Sequence, residues 1–536
     1  MNTHLIQNPV LRGFHPDPSI LRVGEDYYIA TSTFEWFPGV RLHHSRDLVH
    51  FRPIGYALTR PSQLALHGNP RSGGVWAPCL SYADGLFFLV YTDVKAWGHG
   101  YCDAHNYLVT AQRIEGPWSE PMYLNSSGFD PSLFHDDDGR KWLVNVVWDH
   151  RPGRNQFGGI ALQEVCLPER RLIGAPRLIF RGSPLGCTEG PHLYKRRGQY
   201  YLIVAEGGTS YDHAVTLARA SSLEGPYELA PENPLLSARH DPELSLQKSG
   251  HASLVETPGG ELYLAHLCGR PRGPGRRCTL GRETALQRVR WDAQGWLTLD
   301  NNGHTRSPSP SLQVPAPVLP RQAFPSEPVR DDFDKKQLGP HFQTLRDPAD
   351  ASWLSLTERP GFLRLRGRES PQSLHRQSLV GRRIQSLDCR VQTLLEFQPQ
   401  SFQQAAGLGC FYDDECFFLA QVTWDERAGK CLKLLGSERG KLVDWTPEPV
   451  LLGKRTTCLR ADLSGEGLCF SFSEDGARFT SLGPELDLTL LSDEATSLGL
   501  GFTGAFAVLF AYDLGGTHAA ADFDYLDYEE REASDG

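Results

Sequence analysis

Short apolar runs with strand-like alternation recur along the first 300 residues of the chain, and none continues at the period of a helix face. "DYYIATS" (26–32), "LFFLVYT" (86–92), "KWLVNVVW" (141–148), "QYYLIVAE" (199–206) and "ELYLAHL" (261–267) are rich in aromatic and branched residues. Turn residues stand just before each run: "GED", "ADG", "DDDG", "RRGQ" and "PGGE". Strand, tight turn, strand is the pattern of a hairpin. Upstream of each turn lies a short box, in the forms "DPSI" (17–20), "APCL" (77–80), "DPSL" (130–133), "GPHL" (190–193) and "HASL" (251–254). The closing aliphatics Ile20, Leu80, Leu133, Leu193 and Leu254 are 60, 53, 60 and 61 residues apart.

Five equivalent all-β units predict a five-bladed β-propeller over residues 1–303, its blades arranged around a central channel. A packed sandwich would not require five equivalent boxes. If each box opens the innermost strand of its blade, the box residues crowd one mouth of the channel. Proline is tolerated at such a strand start, and it restricts both itself and the residue before it. Asp17, between Pro16 and Pro18, is thereby held and aimed.

The pattern then changes. Residues 304–328 contain seven prolines and no periodicity, the composition of an extended linker. Beyond it, "GFLRLRG", "RVQTLLEF", "CFFLAQVTW", "KCLKLLG", "TCLRADLS", "LCFSFSEDG" and "FAVLFAYD" read as strands. They predict a second all-β domain, a β-sandwich over 329–536.

Charge and composition narrow the function. A net charge of −10 over 536 residues, with no long basic stretch, argues against a nucleic-acid partner. No run of 18 apolar residues occurs, which argues against a membrane span. The first residues carry no basic and apolar pattern of a secretion signal. The twelve cysteines are scattered without a CxxC pair and read as reduced thiols. Together these predict a cytoplasmic location.

The boxes carry Asp17, Trp76, Asp130, Glu189 and His251. Crowded carboxylates raise the pKa of at least one of them, and paired carboxylates flanking a bond are the equipment of glycoside hydrolysis. Phe34, Trp76 and Trp148 are candidate platforms for a sugar ring, or packing residues of the blades. His251 has three readings: a buried hydrogen-bonded imidazole, a sugar contact, or a metal ligand, with calcium ahead of zinc among oxygen-bearing neighbours.

These motifs resemble a known family. "HPDPSI", "GFDPSLF" and "TEGPHLY" are similar to the three acid motifs of glycoside hydrolase family 43, and "STFEWFPG", "GGVWAPCL" and "GRETALQ" resemble its β-xylosidase branch. The resemblance implies inverting hydrolysis of xylosides. Asp17 would be the general base, Glu189 the general acid, and Asp130 the group that tunes and orients that acid. It implies that Arg282 faces the terminal sugar and the base, and that His251 lies near the channel centre, beside a divalent ion such as calcium in some relatives. No cofactor is otherwise required. An inverting enzyme holds its two carboxyls roughly 6.5–9.5 Å apart to admit water.

For the sandwich, a carbohydrate-binding module competes with a lid on the pocket. The resemblance favours the lid, with the loop "GFTGAF" (501–506) bringing Phe506 to the pocket wall; packing of Phe506 inside the sandwich is the alternative. A closed wall implies exo-action on short oligosaccharides. The resulting expectation is an exo-β-1,4-xylosidase with α-L-arabinofuranosidase side activity, and a lean toward a homo-oligomer. Its rivals are a primary arabinofuranosidase and a non-catalytic sugar-binding propeller. Three crowded acids argue against the latter.

Overall fold

The computed structural model describes residues 4–300 and 307–531. The expected boundary between propeller and linker, at 303/304, falls outside them. Five antiparallel sheets form the blades. Their innermost strands are Ser19–Val23, Gly74–Ala83, Ser132–His135, Glu189–Arg196 and Gln247–Glu256. Each neighbours the innermost strand of the next blade, and the last returns to the first, closing the ring. All five closing aliphatics of the boxes lie on these strands.

The boxes also stitch the blades together. The Ser253 hydroxyl donates to the Pro18 carbonyl at 2.7 Å and accepts the Ile20 N–H at 2.9 Å. The Ser19 hydroxyl accepts the Leu80 N–H at 2.9 Å. The side chains between the strands are apolar, as in the cluster of Leu143, Val90, Leu108 and Leu133. Burial of each such side chain contributes about 1.5–3 kcal/mol.

One backbone feature is common to all five boxes. Asp17, Ala77, Asp130, Gly190 and His251 have φ values of 54°, 34°, 53°, 56° and 45°. This left-handed kink interrupts the pleat, and the ladder slips at Trp76/Cys79, Glu189/His192 and Gly250/Ala252. Such bulges re-aim side chains. Aspartate, histidine and glycine tolerate φ > 0 better than other residues, and they occupy four of the five kinks.

The second unit is two sheets packed face to face. One runs from Leu354–Ser355 through Ala520–Glu530 and Cys389–Glu396 to Thr480–Asp487. The other runs from Lys441–Asp444 through Gln404–Phe411 and Phe506–Asp513 to Phe342–Leu345. All seven expected sandwich strands are present. Cys389–Glu396 alternates buried and half-buried positions along its whole length, and Trp353, Leu408, Phe418, Leu459 and Phe523 fill the core.

The two units share a sheet. Trp36–Phe37, from a loop of blade one, pairs with Phe342–Leu345 at the edge of the second sandwich sheet. The linker is laid on the propeller, where Gln313–Pro315 pairs with Leu5–Gln7. An apolar cluster of Phe14, Phe34, Trp36, Phe411, Phe417 and Phe506 fills the seam.

Candidate active site

The kinks turn the three acids into one cavity of about 580 Å³ at the channel mouth. Asp17, Asp130, Glu189, His251, Arg282, Phe34, Trp76 and Trp148 all line it. The kink also sorts the boxes into two registers. Asp17, Asp130 and His251 occupy the left-handed residue itself, whereas Trp76 and Glu189 precede it.

Asp17 sits among donors. One carboxylate oxygen accepts the Ser32 hydroxyl at 2.6 Å, and Ser32 in turn accepts the Ala77 N–H at 2.8 Å. The other oxygen pairs with the Arg282 guanidinium at 3.1 Å and lies 3.6 Å from His251 Nδ1. Burial pushes Asp17 up, but Arg282, then His251 and Ser32, outweigh it and hold the carboxyl below the usual carboxylate range.

Glu189 has the opposite surroundings. Burial, then the charges of Asp130 and Asp17, push it well above the ordinary range. Its Oε1 has no hydrogen-bond partner among the described residues. Asp130 accepts the Gly190 N–H at 3.0 Å. Burial raises Asp130 to about 6, a rise that His251 opposes and the charge of Asp17 reinforces. Glycine is required at 190, where a Cβ would lie 2.9 Å from His251 Nε2.

Arg282 is placed from both units. The "GRETA" segment enters the last blade, and its Glu283 accepts the Gly13 N–H at 2.7 Å, tying it to the stretch that carries Asp17. The Arg282 guanidinium also donates to the Phe502 carbonyl at 2.9 Å. A Cβ at Gly281 would collide with the Thr503 carbonyl, so the glycine admits this close approach. Phe502 and Leu500 thus come from the sandwich side to wall the cavity.

The structure corrects the expectation for Phe506. It does not line the cavity. It is the first residue of the strand Phe506–Asp513 and stacks on Trp36 at 3.7 Å in the seam between the units. The phenylalanine on the wall is Phe502, its ring 6.0 Å from Phe34 and 5.4 Å from Trp76. Strand alternation marks Phe506 with Val508 and Phe510 as one face, which leaves Phe502 as the loop residue.

Other lining residues were not singled out from the sequence: Trp97, Phe129, Phe157, Cys102 and Cys187. The Trp97 indole donates to the Arg71 carbonyl at 2.9 Å, and the Trp148 indole donates to the Gly100 carbonyl at 2.9 Å. Both rings are fixed at their polar ends. Among the described residues no group of three or more His, Cys, Asp or Glu is disposed to hold an ion, and His251 turns Nδ1 toward Asp17.

Residues 6–297 match the family model for glycosyl hydrolases family 43, and residues 330–529 match that of a β-xylosidase C-terminal concanavalin A-like domain. A crystal structure of xylan β-1,4-xylosidase from Bacillus halodurans C-125 superposes with a TM-score of 0.96 at 56% identity, covering 98% of this chain and 100% of that one. The xylosidase/arabinosidase 43B of Humicola insolens is 46% identical over 98% of this chain and 97% of its own length. The xylan 1,3-β-xylosidase of a Vibrio species is 45% identical over 98% and 100%. With the acid-lined propeller mouth, these matches make the chain a glycoside hydrolase belonging to family 43.

Proposed function

We propose that the chain is an exo-acting, inverting β-1,4-xylosidase that releases xylose from the non-reducing ends of xylooligosaccharides, with α-L-arabinofuranosidase side activity. The observation that carries this reading is the opposite setting of two buried carboxyls in one cavity, Asp17 held charged and Glu189 held protonated. Asp17 takes a proton from water as the water attacks the anomeric carbon. Glu189 gives its proton to the departing glycosidic oxygen through the otherwise unpartnered Oε1. The sugar ring lies against Phe34 and Trp76, and Arg282 spans the base and the wall.

Asp130 acts on Glu189 by like-charge repulsion, keeping the acid protonated as pH rises. The Phe502 and Leu500 wall supports exo-action, because it leaves room for a chain end rather than a threaded polymer. No step is routed through a metal, and treatment with a chelator is expected to leave turnover within twofold. Twelve free cysteines fit a reducing compartment, so the enzyme works on imported oligosaccharides in the cytoplasm.

The test is a set of rates on β-1,4-xylobiose, β-1,3-xylobiose, long xylan and nitrophenyl α-L-arabinofuranoside, with the first-formed anomer followed by NMR. The expected result is highest kcat/KM on β-1,4-xylobiose, α-xylose as first product, and little cleavage of internal bonds. A β-xylose product, or preference for internal bonds, overturns the reading. A preference for the β-1,3 dimer or the arabinoside reassigns the substrate.

A further inference from the structure

Behind the acid stretch, at the seam of propeller and sandwich, lies a buried group of cationic side chains that the catalytic reading does not use. Arg41 and Arg383 are 3% and 1% exposed. Neither forms an ion pair with a carboxylate within 4.0 Å among the described residues. Two adjacent rings flank the Arg383 guanidinium, its centre 5.2 Å from that of Phe14 and 5.3 Å from that of Phe506. Its Nε donates to the Phe14 carbonyl at 2.7 Å. Both of its terminal nitrogens, Nη1 and Nη2, and Nε of Arg41, are buried with no hydrogen-bond acceptor among the described residues.

The neighbours offset this charge only in part: the Glu327 carboxylate acts on Arg383 and Arg41 from beyond ion-pair distance. Arg382 has a carboxylate, Glu327 at 3.6 Å, which His341 shares at 3.2 Å. The Tyr56 hydroxyl lies beside Arg383 and favours its charge, and itself donates to the Pro340 carbonyl at 3.0 Å. The His15 and His43 rings stand 4.9 Å apart. Burial, then their mutual proximity and the two guanidiniums, holds His15 well below its ordinary pKa; burial, then the two guanidiniums, does the same for His43. Both imidazoles are therefore neutral. Burial, then the charge of Arg41, brings Arg383 down to about 9, so it remains cationic at neutral pH.

Buried N–H groups are almost always paired, and an unpaired buried charge costs several kcal/mol. The two rings supply cation–π attraction to the guanidinium, but its terminal N–H groups still require an acceptor. We propose that Arg41 and Arg383 hold a small inorganic anion of halide size between the propeller and the sandwich. A monovalent ion suits the enclosed position, because burying a more highly charged oxyanion costs more desolvation. Its role is to lock the seam, since its two ligands come from blade one and from the strand Ser378–Arg383 of the sandwich.

The experiment is thermal unfolding of the full chain at constant ionic strength, with sodium chloride replacing sodium gluconate. An anion bound to the native state alone raises Tm by mass action, and about 1–3 °C is expected at 100 mM chloride. Arg383→Met and Arg41→Gln should each abolish this increment, whatever they do to the absolute Tm. No increment in the wild-type protein, or an increment retained in both variants, overturns the proposal. Should the variants fail to fold, crystals of the wild-type protein soaked in bromide decide. An anomalous peak within hydrogen-bond reach of Arg383 Nη1 or Nη2 supports the site, and its absence refutes it.

Discussion

Asp17 and Glu189 share one cavity and the same loss of water, yet they are set to opposite protonation states. Burial pushes both carboxyls up. What separates them is the company each kink and bulge brings. Asp17 faces a guanidinium at 3.1 Å and a hydroxyl at 2.6 Å. Glu189 faces Asp130, itself raised to about 6, and has an oxygen with no donor. The base and acid are therefore distinguished by neighbours contributed by other blades rather than by depth.

The comparison can be broken most severely at the carboxyls themselves. Asp17→Asn and Glu189→Gln should each lower kcat/KM by about 10²–10⁴-fold, measured on xylobiose, whose leaving sugar needs protonation. Glu189→Gln should be partly spared when the leaving group is a good one that needs little protonation, whereas Asp17→Asn should not. Equal losses for good and poor leaving groups in both variants would erase the assigned difference.

The two phenylalanines of "GFTGAF" sharpen the same comparison on the pocket wall. Phe506→Ala removes a stacked ring from the seam and should destabilise the fold by about 3–5 kcal/mol, read by denaturant unfolding. Phe502→Ala should leave stability nearly unchanged and raise KM for xylobiose several-fold. The reverse pattern would return Phe506 to the wall.

The smallest expected effect is on stability against pH. A buried glutamate whose folded pKa is raised contributes stability that is complete below its unfolded pKa and is lost as pH rises through the folded value. Glu189→Gln should therefore be more stable than wild type by a margin that grows from pH 5 to pH 9. A constant margin would contradict the raised titration.

Much of this was legible in the chain. The hairpins and boxes placed the five inner strands, because a turn before an alternating run is a local signal. The three acids were legible from the repeat, since equivalent positions converge by symmetry. The left-handed kink that sorts Asp17 and Asp130 from Glu189 was not, because no residue type demands it at all five boxes: Ala77 adopts it too. The strand Gln404–Phe411 went unread because it is buried on both faces and built of Ala and Gly, without alternation. Trp97, Phe129 and Phe157 gave no signal, because a ring on a pocket wall and a ring in a core look alike until the fold brings them to one cavity.

The central claim is that Asp130, and not burial alone, keeps Glu189 protonated. The most direct measurement is the pH dependence of kcat/KM for wild type and Asp130→Asn. Removing the like charge lowers the Glu189 pKa, so the basic limb of the variant should move to lower pH while the acidic limb, governed by Asp17, shifts far less. A basic limb unchanged by the substitution would contradict the account.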